Sequence, residues 1–267
     1  MKKYLTFFTI RFTTRLQYRA AAAAGMATQF AWGFMNILMF SAFYRANPAA
    51  FPMGFDQLAS YIWLRQALLA LLSSWSLDSE TLEMVSSGNI GYELCRPVDL
   101  YNMWFVKDVA TRTAAVTLRC IPIFAVSFFL PKPYNLSLPP NAGTLLLFLL
   151  SMVLGFCVIV AYGMLVYIAT FYTYSPLGVR WIAISLTEFL SGSLLPLNFL
   201  PDGIRRVLEL LPFSSMQNVP LRVYSGDIAG QAALWHILLQ LFWLVVLVAL
   251  GQVWMKNALK RVVVQGG

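Results

Sequence analysis

The sequence predicts an all-α integral membrane protein, and two properties of its composition support this. Of its 267 residues, 59% are hydrophobic and only 11% are charged, whereas a soluble domain carries about 25% charged residues. Apolar runs of roughly 20 residues recur along the chain, and each is long enough to cross a ~30 Å hydrocarbon core. We therefore expect a single transmembrane domain that fills residues 1–267.

Residues 3–18 are predicted to form an amphipathic helix that lies in the membrane interface. Apolar residues are interspersed there with basic ones, and Arg11, Arg15 and Arg19 follow one another at intervals of four. This spacing places the three arginines on one face of a helix. On that face they would meet anionic lipid headgroups.

Six transmembrane helices are expected after this first helix, separated by loops that contain proline, glycine or charged residues. The predicted spans are 20–44, 58–75, 113–130, 143–171, 179–195 and 232–255. An even number of spans places both termini on the same side of the membrane. Lys and Arg are more frequent in the segments on the side of the termini, so that side is predicted to be cytoplasmic.

Residues 77–112 are predicted to be a cytoplasmic region that docks on another protein. Six of the chain's 11 acidic residues lie in this stretch, and so many charges do not lie in hydrocarbon. A short helix is expected over 78–85, followed by a second short element over 90–95 that Pro97 halts. A solvated loop is the alternative, but the apolar residues between the acids favour docking.

Residues 196–226 are predicted to form a re-entrant hairpin at the outer face. Small residues let the fifth span break near Gly192, and Pro196 and Pro201 force turns. A short amphipathic helix begins after Pro201 and stops at Pro212. Non-helical backbone of this kind is tolerated at membrane depth where it packs on protein or lines a cavity.

Three charged residues and one histidine lie at membrane depth in the predicted spans, and such residues suggest functional sites. Arg65 and Glu188 can pair, either as a structural contact between helices or as part of a transport pathway. Arg119 is expected to extend its side chain toward the cytoplasmic face. His236 lies near the outer end of the last span and is interpreted as a hydrogen-bonded helix residue rather than a proton relay.

Several classes of function are disfavoured by the sequence. There is no Walker A loop (GxxxxGK[ST]), so the chain is not expected to bind or hydrolyse ATP. A single histidine and three cysteines without CxxC spacing leave metal sites and His-based nucleophiles without their usual ligands. The net charge of +8 is spread among apolar spans, which argues against nucleic acid as a partner. We expect no catalysis and no bound metal or cofactor.

The two irregular regions, in this order, resemble those of the permease subunits of ABC-2 type ABC exporters. The segment Gly88-Asn-Ile-Gly-Tyr-Glu-Leu-Cys-Arg-Pro97 is similar to the family's cytoplasmic coupling segment. The extracellular gate hairpin of the family resembles the segments Ser191-Gly-Ser-Leu-Leu-Pro196, Leu200-Pro-Asp202 and Leu211-Pro-Phe213. The resemblance covers nearly the whole chain, but it does not identify the transported substrate.

This resemblance implies the partners and the location of the protein. Two permeases, identical or homologous, would pair around a pathway in the lipid bilayer, and a separate ATPase subunit would bind ATP and Mg²⁺. Coupling to the ATPase is assigned to Glu80, Glu83, Gly88, Ile90, Glu93, Arg96 and Pro97. The extracellular gate is assigned to Gly192, Pro196, Pro201 and Pro212. The expected location is the bacterial plasma membrane, with both termini cytoplasmic.

A proton-coupled secondary transporter is the main alternative, with Glu188 and His236 as its relay. Six spans without internal duplication lack the inverted repeats that are common in such carriers. An ATPase-independent channel or scaffold is a third hypothesis. We therefore favour the ABC-2 permease.

Overall fold

The computed structural model describes residues 2–173 and 175–262, and 80% of them are helical. No strand occurs in these two ranges. The α-helices are α1 (Lys2–Leu16), α2 (Arg19–Ala46), α3 (Phe55–Ala67), α4 (Leu69–Leu72), α5 (Ser79–Ser86), α6 (Ile90–Leu94), α7 (Leu100–Phe129), α8 (Ala142–Ala169), α9 (Pro176–Leu190), α10 (Asp202–Leu210), α11 (Pro212–Met216), α12 (Asn218–Tyr224) and α13 (Gly230–Leu259). Short 3-10 turns lie at Pro48–Ala50, Ser74–Ser76, Thr170–Tyr172 and Leu197–Phe199.

Three of these helices are long and apolar enough to cross a membrane. They are α7, α13, and α8 together with the turn that extends it to Tyr172. A helix of 30 residues is ~45 Å long and therefore exceeds the hydrocarbon thickness of ~30 Å. The prediction of an all-helical chain with membrane-spanning helices is confirmed.

The predicted count of six spans is not confirmed. Helix α2 has 28 residues, but its small and polar residues keep its hydropathy below that of the three helices above. The predicted second span is divided between α3 and α4 because the backbone leaves helical geometry at Leu68, with φ −98° and ψ 8°. The fifth span is α9, whose 15 residues reach only ~22 Å. The six-span plan stays a prediction.

The helix predicted over 113–130 begins much earlier, at Leu100. Its start is capped by Asp99, whose carboxylate accepts a hydrogen bond of 2.8 Å from the backbone N–H of Asn102. The last third of the region predicted as a cytoplasmic loop is therefore helix that continues into the membrane span. Helix α1 packs along this extension of α7.

Two large apolar cores, and a smaller third one that joins α8 to α11 and α13, hold the helices together. In the first, buried residues of α3 and α4 such as Trp63 pack with α2 and with Leu221 of α12. In the second, Leu82 of α5 and Trp104 of α7 pack with the end of α8 and the end of α13. Helix α8 contributes buried residues to both large cores, so it connects the two parts of the molecule.

Candidate functional site

The two short helices predicted in the acidic region are present as α5 and α6. Asp78 is the residue before α5, and the chain turns between the helices at Gly88, where φ is 76°. This left-handed conformation is accessible to glycine without a steric penalty. Helix α6 ends at Leu94, shortly before Pro97. We call residues 78–97 the docking segment.

The docking segment is anchored by apolar side chains and exposes others. Leu82 and Ile90 are 3% and 2% exposed, whereas Tyr92 is 78% exposed and Leu94 is 40% exposed. An open groove of about 530 Å³ runs along α5 and the turn that follows it. Its lining residues are Glu80, Glu83, Met84, Ser86, Ser87 and Asn89. The docking segment thus exposes acidic and apolar side chains, while its buried residues hold it in place against the rest of the protein.

A buried group of polar side chains fixes the start of the docking segment. The carboxylate of Asp78 lies 2.7 Å from the Nζ atom of Lys107 and accepts a 2.7 Å hydrogen bond from the hydroxyl of Thr81. The backbone N–H of Asp78 donates to the hydroxyl of Tyr167 at 2.7 Å. Glu80 lies 3.1 Å from the same Lys107 ammonium. These contacts join α5 to both α7 and α8.

A second buried pair lies next to the first. Arg112 Nε donates to Asp108 Oδ2 at 2.9 Å, and Arg112 Nη1 donates to the backbone carbonyl of Ser73 at 2.6 Å. The side chains of the pair are 0% and 2% exposed. The predicted loop is wrong at Lys107, Asp108 and Arg112, which are buried residues of the helix α7; the cytoplasmic location of this region stays a prediction. The spacing of Asp108 and Arg112, four residues apart, was the sequence signal that could have predicted an ion pair on a helix here.

A helix, α1, is present where the amphipathic helix was predicted, and its position in the membrane interface stays a prediction. Two of its arginines have different partners from those expected. Arg11 Nη1 lies 3.6 Å from Glu80, and Arg15 Nη2 lies 3.8 Å from Asp78. Arg11 and Arg15 thus lie next to acidic side chains of the docking segment, whereas the sequence predicted lipid headgroups as their partners. The early start of α7 provides the surface on which α1 packs.

The remaining predicted coupling residues lie at the end of the docking segment. Arg96 and Glu93 form an ion pair of 3.1 Å within the segment. The carbonyl oxygen of Pro97 accepts a hydrogen bond of 3.2 Å from Lys3 of α1. Glu83 is exposed on α5.

Acid sensitivity of the docking segment follows from Asp78. Burial raises the pKa of this carboxyl, but Lys107, Thr81 and Arg15 lower it, and the net pKa lies below its ordinary value. A carboxylate with a depressed pKa stabilises the fold above its ordinary pKa of about 4, and this stabilisation is lost as the pH falls through the lower folded value.

We therefore expect acidification from about pH 6 to about pH 3 to lower the melting temperature of the wild type more than that of Asp78→Asn. Differential scanning fluorimetry in detergent measures this difference. Glu83→Gln removes an exposed carboxylate that makes no ion pair within the described ranges, so it should follow the wild type. Equal acid sensitivity of wild type and Asp78→Asn would contradict the assignment.

The turn residues of the predicted hairpin, residues 196–226, lie where the sequence predicted them. Helix α9 ends at Leu190, and Gly192 follows with φ 75°. Pro196 precedes a 3-10 turn, and α10 begins directly after Pro201. Pro212 begins α11. A role for these residues in a gate stays a prediction.

Helix α11 is seated deep against α8 and α13, which sequence reasoning did not predict. A Cβ atom added at Gly155 of α8 would lie 2.8 Å from the carbonyl oxygen of Met216 and 2.9 Å from that of Ser215. Gln240 of α13 is fully buried and donates to the carbonyls of Ser215, at 2.8 Å, and Ser151, at 3.1 Å. The carbonyl of Ser215 is one of the last four of the short helix α11, and such carbonyls have no partner within their own helix; the Gln240 amide supplies one. The sequence signal was the position of Gln240 in the apolar middle of this helix.

A polar cluster lies at the base of the hairpin. Arg65 Nη2 and Glu188 Oε2 lie 3.8 Å apart, so the structure contains the predicted pair. Ser193 donates to Glu188 at 2.7 Å, and the Tyr61 hydroxyl donates to the carbonyl of Gly192 at 2.9 Å. The pair therefore connects α3 with the first turn of the hairpin. A contact between this pair and a transported substrate is not tested by the structure and stays one of the two predicted alternatives.

A second set of charges holds α10 and α12 of the hairpin together. Arg222 of α12 forms ion pairs with Glu209 of α10 and with Asp227. Trp243 of α13 donates to the carbonyl of Leu210 at 2.9 Å. Within 2–173 and 175–262, no hydrogen bond joins His236 to Glu188. No group of three or more His, Cys, Asp or Glu side chains in these ranges is placed to bind a metal ion.

Comparison with known proteins identifies the family. Residues 24–266 match the family model described as ABC-2 family transporter protein. The match begins within α2 and extends past α13, so it covers most of the chain and leaves α1 outside. No curated protein sequence matches the chain. The chain belongs to the ABC-2 family of membrane transporter proteins.

Proposed function

We propose that this protein is the permease subunit of an ABC-2 type exporter, powered by a separate ATPase subunit that docks on the docking segment. The observation that carries the proposal is the docking segment itself. It exposes Glu83, Tyr92 and Leu94 from helices whose base is fixed by buried ion pairs. A surface of this kind is suited to a groove on a partner protein. ATP and Mg²⁺ would be bound by that partner.

Helix α8 is the element that would transmit the motion of the ATPase. Its Tyr167 is hydrogen-bonded to Asp78 of the docking segment, and its Gly155 is in contact with the hairpin. These positions are about three turns, or ~18 Å, apart on one continuous helix. A displacement of the docking segment by the ATPase would therefore move α8, which also contacts the hairpin.

Export would require a second permease, identical or homologous, on the other side of the pathway. In this arrangement both termini face the cytoplasm of a bacterial cell, and the hairpin opens outward. The Arg65–Glu188 pair supports a position of the hairpin next to the pathway, because charges at membrane depth face protein or a polar cavity. Family membership supports this permease over the proton-coupled alternative.

Copurification tests the docking segment. We expect the tagged protein, isolated in mild detergent from its host, to bring down an ATPase, and Glu83→Lys with Tyr92→Ala to reduce its amount about tenfold or more. Both side chains are exposed and make no ion pair or side-chain hydrogen bond within the described ranges. The double variant should therefore fold normally, which its size-exclusion profile would show.

The control is Asp202→Lys, which reverses an exposed acid on α10, in the outer hairpin, far along the chain. It should retain the ATPase. Absence of any ATPase with the wild type would contradict the permease proposal. Full retention by the double variant would contradict only the docking site.

A further inference from the structure

An open pocket lies where the docking segment meets the ends of α8 and α13. Its volume is about 230 Å³. Its lining includes Ser86 and Gly88 of the docking segment, Thr170 and Thr173 after α8, and Arg261 after α13. Among the described residues of the lining, Arg261 is the one with a charged side chain. The pocket therefore offers hydroxyl groups and a single positive charge.

The guanidinium of Arg261 is positioned by an aromatic ring, and its hydrogen-bond donors are free. Its Cζ atom lies 5.5 Å from the centre of the Tyr172 ring, over the face of that ring. Within residues 2–173 and 175–262, the side chain is exposed and makes no ion pair or hydrogen bond. A guanidinium stays charged in proteins and presents its N–H groups as a planar fork. Arg261 is therefore able to bind an anionic group that enters the pocket from outside.

The groove along α5 lies next to this pocket and carries the opposite charge. Ser86 lines both of them, and the groove is also lined by Glu80 and Glu83. Glu83 is exposed and makes no ion pair within the described ranges. A protein that covers the docking segment would therefore meet a carboxylate in the groove and a guanidinium in the pocket. Such an arrangement selects a partner with complementary charges, because like charges that are brought together repel each other.

We infer that the ATPase subunit inserts an acidic side chain into this pocket, where its carboxylate binds the guanidinium of Arg261. The inference rests on the proposed function, in which the ATPase docks on the docking segment, and it adds the chemistry of the contact. A carboxylate accepts two parallel hydrogen bonds from a guanidinium, and the hydroxyl of Thr173 supplies a further donor at the pocket wall. Because Arg261 follows α13, this contact would join the ATPase to α13 as well as to the docking segment.

Charge reversal at Arg261 tests the contact by copurification. Arg261→Glu places a carboxylate against the acidic side chain of the ATPase and should reduce the amount of copurified ATPase about tenfold or more, whereas Arg261→Lys keeps the charge and should retain most of it. Lys256→Glu is the matched control, because it makes the same change of charge at an exposed residue in the last turn of α13 that does not line the pocket. This control should retain the ATPase.

Carbodiimide cross-linking of the purified complex identifies the partner group. This reagent joins an amine to a carboxylate as an amide, with loss of water, and a guanidinium does not react in this way. The amine introduced by Arg261→Lys should therefore form a cross-link from position 261 to an Asp or Glu of the ATPase, and the wild type should form none at this position. Mass spectrometry of the digested complex locates the cross-link.

Full retention of the ATPase by Arg261→Glu would overturn the inference, and so would an equal loss with Lys256→Glu. If Arg261→Glu fails to fold, a cross-link from position 261 only to the permease itself, or no cross-link there, would overturn it. Loss of the ATPase by Glu83→Lys with Tyr92→Ala but not by Arg261→Glu would overturn this inference and leave the proposed docking site intact. Absence of any ATPase with the wild type would overturn the proposed function together with the inference.

Discussion

Replacing Arg112 with leucine is expected to remove most of the folded protein. The substitution leaves the buried carboxylate of Asp108 without its partner and the carbonyl of Ser73 without its 2.6 Å donor. Breaking a buried ion pair by removing one partner costs about 3–5 kcal/mol. This is a large part of the ~5–15 kcal/mol that stabilises a typical fold.

Fluorescence-detected size-exclusion chromatography and thermal melting measure this loss. Arg112→Leu combined with Asp108→Leu should recover part of it, because replacing both partners by apolar groups leaves no unpaired charge. The control is Arg96→Leu, which removes an exposed partner of Glu93 and should cost at most about 1 kcal/mol. If Arg112→Leu is as stable as Arg96→Leu, the pair does not support the fold.

Gly155→Ala is expected to displace α11 and the hairpin to which it belongs. The new methyl group would lie within 3 Å of two backbone carbonyl oxygens of α11. Backbone atoms do not rotate away as the end of a long side chain does, so α11 has to shift. The shift would also stretch the 2.8 Å hydrogen bond from Gln240 to Ser215. Together these effects should cost about 2–5 kcal/mol.

Hydrogen exchange over residues 212–224 reports the position of the hairpin. We expect faster exchange there and a lower melting temperature in Gly155→Ala. The matched control is Gly203→Ala on α10, where an added Cβ meets no atom within 4 Å, and a small gain from helix propensity of at most ~1 kcal/mol is expected. Unchanged exchange in Gly155→Ala would show that α11 does not rest on this glycine.

Local sequence signals were sufficient for the short elements. Helix α5 follows Asp78, the turn after it contains Gly88, and α10 lies between Pro201 and Pro212, as predicted. These boundaries depend on capping, left-handed turns and proline geometry, each of which involves only neighbouring residues. They can therefore be read without knowledge of the fold.

The start of α7 was missed for a different reason. Lys107, Asp108 and Arg112 look like residues of a solvated loop when their charges are considered alone. The structure neutralises Lys107 with Asp78, and Arg112 with Asp108 and the carbonyl of Ser73. The four-residue spacing of Asp108 and Arg112 was a local sign of a helical ion pair, but the burial of these charges depends on Asp78 and Ser73, which lie far away in the chain.

Sequence alone determines that this chain is helical and crosses a membrane, because the composition and length of its apolar segments determine their free energy of transfer from water into the bilayer. It also indicates the family through its two irregular regions. Only the tertiary structure decides which groups meet, such as Arg15 with Asp78, Arg65 with Glu188, and Gln240 with the carbonyl of Ser215. The physical reason is that each of these contacts joins residues far apart in sequence, so it forms only when the helices pack in one arrangement.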